Sequence, residues 1–286
     1  MSLAPELHER SFGAVFDTMA VEYDRNRPTY PDALVGRACE ASRLAAGDRV
    51  LEIGCGTGQL TRSLVARGLH VTAVEPGQNL IALAREQPNG PGAVEFIHSR
   101  FEDAAPGAGF AGVFSASAFH WIDPDVSWSK VAQSLEPGGL LALIQYAGVR
   151  DERTETDDDA LADALASAAP AIAASWPTLR DLDTFLSGVE DRQENVSEVW
   201  AWVGEQPIAR PYAAALFDDV EVAVAPTLVE QTAVELNALL RTVSLYHRLP
   251  PDQRQALQNA NQEIEQRLGR PIRASMLGVL VTARRA

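Results

Sequence analysis

Residues 51–60 read LEIGCGTGQL. Gly54, Gly56 and Gly58 alternate directly behind Glu52, which sits near the end of the apolar run RVLEI (49–53). A short β-branched run that breaks into glycines and then into a helical pattern has the form of the first strand-to-helix turn of a doubly wound sheet. Glycine reaches positive φ and lets backbone approach a ligand closely, while free turn amides and a helix N-terminus favour a carboxylate or phosphate. Such a turn also serves close packing, so the glycines alone leave both readings open. Their spacing is more selective: a dinucleotide fingerprint runs G-x-G-x-x-G, and here the third glycine comes one position early.

Outward from that turn, short apolar runs alternate with helical patterns. HVTAVE (70–75), AVEFIH (93–98), GVFSAS (112–117) and GLLALIQY (139–146) have strand character, with helical stretches near 59–67, 77–87 and 124–135 between them. Pro137-Gly138-Gly139 reads as a turn into the fifth strand. Two helices are expected earlier, over SFGAVFDTMAVEYD and over the stretch that starts at Pro31. This alternation predicts an open, mostly parallel α/β sheet with helices on both faces.

Beyond Tyr146 the chain turns rich in Ala and Asp, and residues 150–215 read as a helical insert. One helix, TETDDDALADALASAA, is expected to stop at Pro170, and another, TLRDLDTFLSG, at Gly188. DDVEVAVAPT (218–227) restores strand character. Two long helical patterns follow, VELNALLRTVSLYHRL and PDQRQALQNANQEIEQRL, and MLGVLVTARR (276–285) reads as the closing strand. The expected division is residues 1–149 for N-terminal helices and core, 150–215 for the insert or lid, and 216–286 for the rest of the core.

Composition narrows the partners. Thirty-nine acidic against 24 basic residues leave a net charge of −15, which argues against nucleic acid or anionic membrane, since phosphate binding needs clustered Lys and Arg. Cys39 and Cys55 are the only cysteines, too few for a disulfide framework and without zinc spacing, so no metal site is read. With no apolar run of ~18 residues to span a bilayer, the chain reads as cytoplasmic with a small-molecule partner. Its oligomeric state stays open, a homodimer included.

Glu75 ends the second strand about 20 residues after the glycines, where an acidic side chain is placed to accept from ribose hydroxyls; alone it is equally an exposed strand-end carboxylate. Together, turn and acid select an adenosyl ligand. VLEIGCGTGQL, VTAVEP, RFEDA, FSASAFHWIDP and LEPGGLLALI, in this order, resemble the class I S-adenosylmethionine-dependent methyltransferases. The likeness is to the branch of ubiquinone/menaquinone and trans-aconitate methyltransferases, and FDTMAVEYDRNRPTYPDALV fits that branch too. It covers residues 12–146 by motif and 216–286 more loosely. It implies a Rossmann-like seven-stranded sheet, mostly parallel, with the last strand antiparallel.

The resemblance also implies roles. Gly54, Cys55, Gly56 and Gly58 pass the methionine part of S-adenosylmethionine, with Glu52 near its amino group. Glu75 holds the ribose, Pro76 or Gly77 packs by the adenine, and Phe101 and Glu102 flank it. Arg100 stands where many relatives carry an aspartate for the adenine amino group, so that contact passes to Glu102 or to a carbonyl. Ala116 and Phe119 line the site, while Tyr23 and Arg27 close over the cofactor or pack as an ordinary helix face.

His120 is the one histidine in a crevice position, as a general base or as a residue that orients its loop. Trp121, Tyr146, Arg241 and Tyr246, with Arg248, are candidates for acceptor contact. Trp176, Trp200 and Trp202 line a pocket in the insert or stabilise it. The function expected is methyl transfer to a small molecule with a carboxylate or hydroxyl acceptor. The alternatives are a non-catalytic S-adenosylmethionine-binding protein of the same fold and, disfavoured by the glycine spacing, a nicotinamide-dependent oxidoreductase.

Overall fold

The apolar runs form β1 (Arg49–Ile53), β2 (His70–Glu75), β3 (Ala93–His98), β4 (Phe110–Ala116) and β5 (Leu135–Arg150), in a computed structural model that describes residues 15–86, 90–174, 176, 179–205 and 209–286. Around them lie α1 (Val15–Thr18), α2 (Ala20–Asn26), α3 (Asp32–Ala41), α4 (Gln59–Ala66), α5 (Gln78–Glu86) and α6 (Pro124–Ser134). The first four residues of the expected opening helix, 11–14, lie outside the described residues. After β5 come α7 (Glu155–Ala168), α8 (Pro170–Ala173), β6 (Arg180–Asp181), α9 (Leu182–Glu190) and α10 (Val196–Gly204). The chain then passes through β7 (Phe217–Gln231), α11 (Ala233–Leu240), α12 (Ser244–His247), α13 (Pro251–Leu268) and β8 (Ile272–Arg285).

The strand order is β3-β2-β1-β4-β5-β8-β7, with β6 paired to the far end of β5. All pairings are parallel except those of β8, which runs antiparallel to both β5 and β7. Among the described residues the sheet path has seven strands and an antiparallel last strand, as expected, and an eighth strand lies off that path. The extra one is the two-residue β6, which occupies the start of the expected helix TLRDLDTFLSG. Asp181 then caps α9, its Oδ1 accepting from the Thr184 amide at 2.8 Å.

Successive strand residues face opposite layers. Leu51, Ile53, Val74, Val113, Leu141, Leu143, Val279 and Val281 pack on the side of α6, α9 and α10. Val50, Val71, Ala73, Phe114, Leu140, Ala142 and Ile144 pack on the side of α3 and α4. Residues buried on both faces explain why these strands read as nearly continuous apolar runs.

Three expectations about local structure need correction. Pro137-Gly138-Gly139 is an irregularity inside β5 rather than a turn before it: Leu135 pairs with Phe110 and Leu140 with Gly112, so Glu136 to Gly139 pass opposite Ala111. The pattern VELNALLRTVSLYHRL splits into α11 and α12 around Arg241 to Val243. Within residues 150–215, α10 packs on β5, β7 and β8, and α7 packs on α8, α13 and β8. Finally, Gly188 does not end α9, which runs on to Glu190.

Trp202 explains that last glycine. An added Cβ at Gly188 would lie 2.2 Å from its Cε2 atom. The indole donates to the Phe185 carbonyl at 3.0 Å and is covered by the guanidinium groups of Arg180 and Arg192 at 4.2 and 4.4 Å from the ring centroid. Trp200 is fully buried against Phe119. Both tryptophans therefore pack the layer beside the sheet. Among the described residues, no helix is long and apolar enough to cross a membrane.

Gly188→Ala is expected to cost about 1–3 kcal/mol, since overpacking forces the indole off its site. The check is a urea titration followed by tryptophan emission. An unchanged midpoint would show that the indole has room to move.

Candidate active site at the carboxyl edge of the sheet

β1 delivers the glycine turn to the carboxyl edge. Gly54 bonds through its amide to the Val74 carbonyl at 2.8 Å, which docks the turn against β2. Its φ is +71°, and a Cβ there would sit 2.3 Å from the Cβ of Ala118, so the turn and the segment after β4 mesh at that residue. Gly56 is different. Its φ is +54°, yet nothing lies within 4 Å of where its side chain would be. Gly58, also left-handed, is the N-cap of α4.

Two buried carboxylates flank this turn. Glu75, the last residue of β2, accepts from the Gly56 amide at 3.0 Å through Oε2 and from the Gly77 amide at 2.9 Å through Oε1. Burial nevertheless outweighs these bonds and raises its pKa. Glu52 accepts from the Thr61 hydroxyl at 2.7 Å. Burial, with the charge of Glu75 adding to it, pushes its pKa up to about 7.

Asp17, from α1, is a third carboxylate beside Glu75. Its Oδ1 accepts from the amides of Asn79 at 2.7 Å and Leu80 at 3.2 Å. It thus satisfies free N–H groups of the first turn of α5 from 62 residues away. Its neighbour Phe16 makes edge contacts with Tyr23, at 5.5 Å, and Trp121, at 5.8 Å.

The opposite wall follows β4. Ser117 holds a φ of +51°, uncommon for a residue with a side chain, and its amide bonds to the Ile144 carbonyl at 2.8 Å. The short 3-10 turn Phe119–Trp121 follows. His120 Nδ1 is out of solvent with no hydrogen-bond partner. Burial first, and the charge of Arg27 second, lower the His120 pKa to about 4, so the ring is neutral at pH 7.

Arg27 closes this wall. One terminal nitrogen donates to the Thr242 carbonyl at 2.6 Å, and the guanidinium lies 5.2 Å from the Tyr23 ring centroid. Its Nε is buried without a partner. Burial raises the Tyr30 pKa well above the ordinary phenol value and keeps it protonated, with the neighbouring Ser117 side chain acting against that shift. The Tyr30 ring stacks on Tyr146 at 6.1 Å, and the Tyr146 hydroxyl donates to the Thr29 carbonyl at 2.7 Å.

Tyr23, Arg27, Glu52, Gly54, Gly56, Gly58, Glu75 and His120 therefore gather at one edge. Cys55 belongs to the same turn, but its thiol is buried and its pKa is raised well above the ordinary value by burial. Ala116 packs with the α3 and α4 layer. Pro76 is exposed, and its carbonyl contacts His98 Nε2 at 3.0 Å. Trp121 contacts the His120 ring at 4.9 Å.

Other expected site residues lie elsewhere. Phe101 and Phe119 are core side chains, 3% and 2% exposed; Lys130 covers the first and Trp128 and Trp200 pack on the second. Glu102 is engaged by Arg100 at 2.9 Å and by the Asp123 amide at 3.0 Å. These bonds hold its carboxyl below the usual range although burial opposes them. Tyr246 is buried in a satellite cluster with Leu165, Leu249 and Leu257, where it bonds to Gln258. Arg241 is exposed, and its carbonyl contacts His247.

Sequence reasoning passed over Asp17, Tyr30 and Ser117. Asp17 and Tyr30 lie inside the stretch quoted for the N-terminal likeness, but nothing local marks what they meet. Ser117 has a weak signal, a small polar residue where β4 ends.

Residues 51–143 match the methyltransferase domain family. An uncharacterised methyltransferase of Mycobacterium tuberculosis is 36% identical over 144 residues, which are 50% of this chain and only 56% of that protein. One of Geobacillus kaustophilus is 32% identical over 147 residues, 48% of this chain and 68% of the relative. Among solved structures, a putative type II methyltransferase of Anaeromyxobacter dehalogenans has a TM-score of 0.60 at 23% identity, covering 90% of this chain and 97% of its own. A Thiobacillus denitrificans methyltransferase in complex with S-adenosylhomocysteine has a TM-score of 0.51 at 17% identity, covering 94% and 98%. Sheet order, glycine turn and sequence kinship agree: the chain belongs to the class I S-adenosylmethionine-dependent methyltransferase family.

Proposed function

We propose that the chain binds S-adenosylmethionine across the glycine turn and transfers its methyl group to a small molecule through a carboxylate or hydroxyl oxygen. The observation that carries this reading is Glu75, fixed by the Gly56 and Gly77 amides beside open space at Gly56. A carboxylate has about four acceptor sites, so Glu75 keeps acceptor capacity for a ribose diol. Glu52 suits an ammonium group, and the unpartnered Nε of Arg27 suits the carboxylate of the same amino-acid end. That set of donors and acceptors matches both ends of the cofactor.

Bound there, S-adenosylmethionine would supply a sulfonium methyl, which needs no further activation and moves to the acceptor oxygen as its bond to sulfur breaks, with the electron pair left on sulfur. The chain's own part is alignment, worth ~7 to 11 kcal/mol when reacting atoms are well oriented. A hydroxyl acceptor would also lose its proton; His120 Nδ1 has no hydrogen-bond partner, but burial and the charge of Arg27 oppose the protonated ring and make it a weak base, so the proton would pass on to water. A carboxylate acceptor would need no base.

Calorimetric titration with S-adenosylmethionine and S-adenosylhomocysteine tests the reading. Saturable binding is expected, weakened roughly 10- to 100-fold by Glu75→Gln as charge-assisted bonds are lost, with no binding of NAD. Folded protein that binds neither adenosyl ligand would sink the proposal.

Affinity is also expected to depend on pH through Glu52. An unfolded glutamate titrates near ~4.3, whereas the folded carboxyl sits at about 7. Its contribution to stability is therefore full below the lower value and lost as pH rises through the upper one. Cofactor binding runs the other way, because an ammonium ligand needs the ionised form. The dissociation constant of S-adenosylhomocysteine should rise by up to about tenfold per unit as pH falls below 7. Glu52→Gln should bind more weakly at pH 8 with a flatter profile, and a wild-type affinity that does not change from pH 8 to 6 would remove Glu52 from the ammonium site.

A further inference from the structure

We infer that the chain carries a second ligand site, a groove on α3 that takes a phosphate group between Arg37, Arg43 and Arg67. These three residues line one open groove of about 850 Å³ between α3 and the end of α4. The groove is distinct from the crevice. Gly58 of the glycine turn caps one end of α4 and Arg67 the other, with eight residues between them, so the two sites lie at opposite ends of a helix roughly 12 Å long. The inference goes beyond the cofactor reading and does not depend on it.

Arg67 is fixed in place. Its Nη1 donates to the Ser63 carbonyl at 2.9 Å and hydroxyl at 2.6 Å, and its Nη2 donates to Asp32 Oδ1 at 2.7 Å. The guanidinium lies across α3, 3.6 Å from where a Cβ on Gly36 would stand. Arg37 and Arg43 differ: both are exposed, and among the described residues their side chains make no hydrogen bond or ion pair. Arg43 is also strained, with a φ of +54°. Its amide bonds to the Glu40 carbonyl at 2.9 Å and the Leu44 amide to the Cys39 carbonyl at 3.0 Å. These are the two bonds of a Schellman stop, whose left-handed residue is usually glycine, as Gly269 is after α13. Glu205, left-handed after α10, has Arg180 as a partner at 3.5 Å. Arg43 therefore holds a costly backbone conformation and presents a guanidinium that no protein group engages.

Three guanidinium groups around one space exceed what a single carboxylate can match. A phosphate monoester carries about −1.5 to −2 charge at pH 7 with three acceptor oxygens, and guanidinium forks fit it. Of the acidic residues in the lining, Asp32 is already engaged by Arg67, and Glu40 is left to oppose the phosphate and limit its affinity. Ala33 and Leu44 give the groove an apolar part, against which an organic portion of the ligand would rest.

Calorimetric titration at low ionic strength with phenyl phosphate and with inorganic phosphate is the test. Saturable binding in the millimolar range is expected; tighter binding of the ester assigns the site to an organic phosphate, and equal affinity assigns it to free phosphate. Arg37→Gln and Arg43→Gly should each weaken binding about three- to tenfold, the loss of a charge-assisted bond, and Glu40→Gln should tighten it about two- to threefold. Arg43→Gly should leave the urea midpoint unchanged or higher, because glycine relieves the left-handed backbone, so binding and stability separate at this residue. Arg43→Lys, which keeps the charge at the end of α3, should recover only part of the affinity. Arg25→Gln removes an exposed charge from α2 and should leave binding unchanged. No saturation by either probe, groove variants that bind like the wild type, or a loss in Arg25→Gln equal to theirs would overturn the inference. Should Arg43→Gly fail to fold, Arg37→Gln in the same groove still decides.

Discussion

The carboxylate of Glu75 receives two backbone N–H groups, one from the turn after β1 and one from the turn after β2. These bonds join the ends of two neighbouring parallel strands, and the rest of the site is arranged about them. Turn amides that face water in most loops are satisfied here by a buried anion. The same bonds oppose the raised pKa that burial imposes. Asp17 then brings the N-terminal helices onto the start of α5, beside the same residue.

Burial sets the chemistry of the wall opposite. His120, Tyr23 and Tyr30 all sit where a charged form is penalised, and all are held neutral. Arg27 enters the same wall with its guanidinium donating to the Thr242 carbonyl and lying beside the Tyr23 ring. Glu52, Glu75 and Asp17 thus gather on one side, and His120, Tyr23, Tyr30 and Arg27 on the other. This contrast is invisible in the overall charge of −15, which is dominated by exposed groups.

Much of the fold was legible because strand and helix periods are local properties of a sequence. β1 to β5 each read as apolar runs, and the final strand could be placed from the run MLGVLVTARR, its antiparallel direction from the resemblance. What escaped depends on contacts distant in sequence. Gly188 reads as a helix stop, since glycine is the usual stop signal, yet it serves an indole 14 residues on. β6 is too short to carry a period. Within the site, the glycine turn and Glu75 announce themselves by spacing, whereas Phe101 is named only through the resemblance and is buried in the core. Nothing local in the sequence shows that Tyr246 is buried in a satellite cluster with its hydroxyl bonded to Gln258. Asp17, Tyr30 and Ser117 acquire meaning only when three segments meet.

Those meetings bear on how the protein reaches its native state. The Asp17 bond to Asn79 spans 62 residues and the Arg27 bond to Thr242 spans 215, whereas adjacent parallel strands such as β1 and β2 pair at a separation of 21. Closing a longer loop costs more entropy, though only logarithmically, and non-local contacts form late. The crevice is thus expected to be completed after the central strands have paired. A partly folded chain would then carry a sound β-core and no working site, and amide exchange in α1, α2 and the 242 segment would outpace that in β1 and β4.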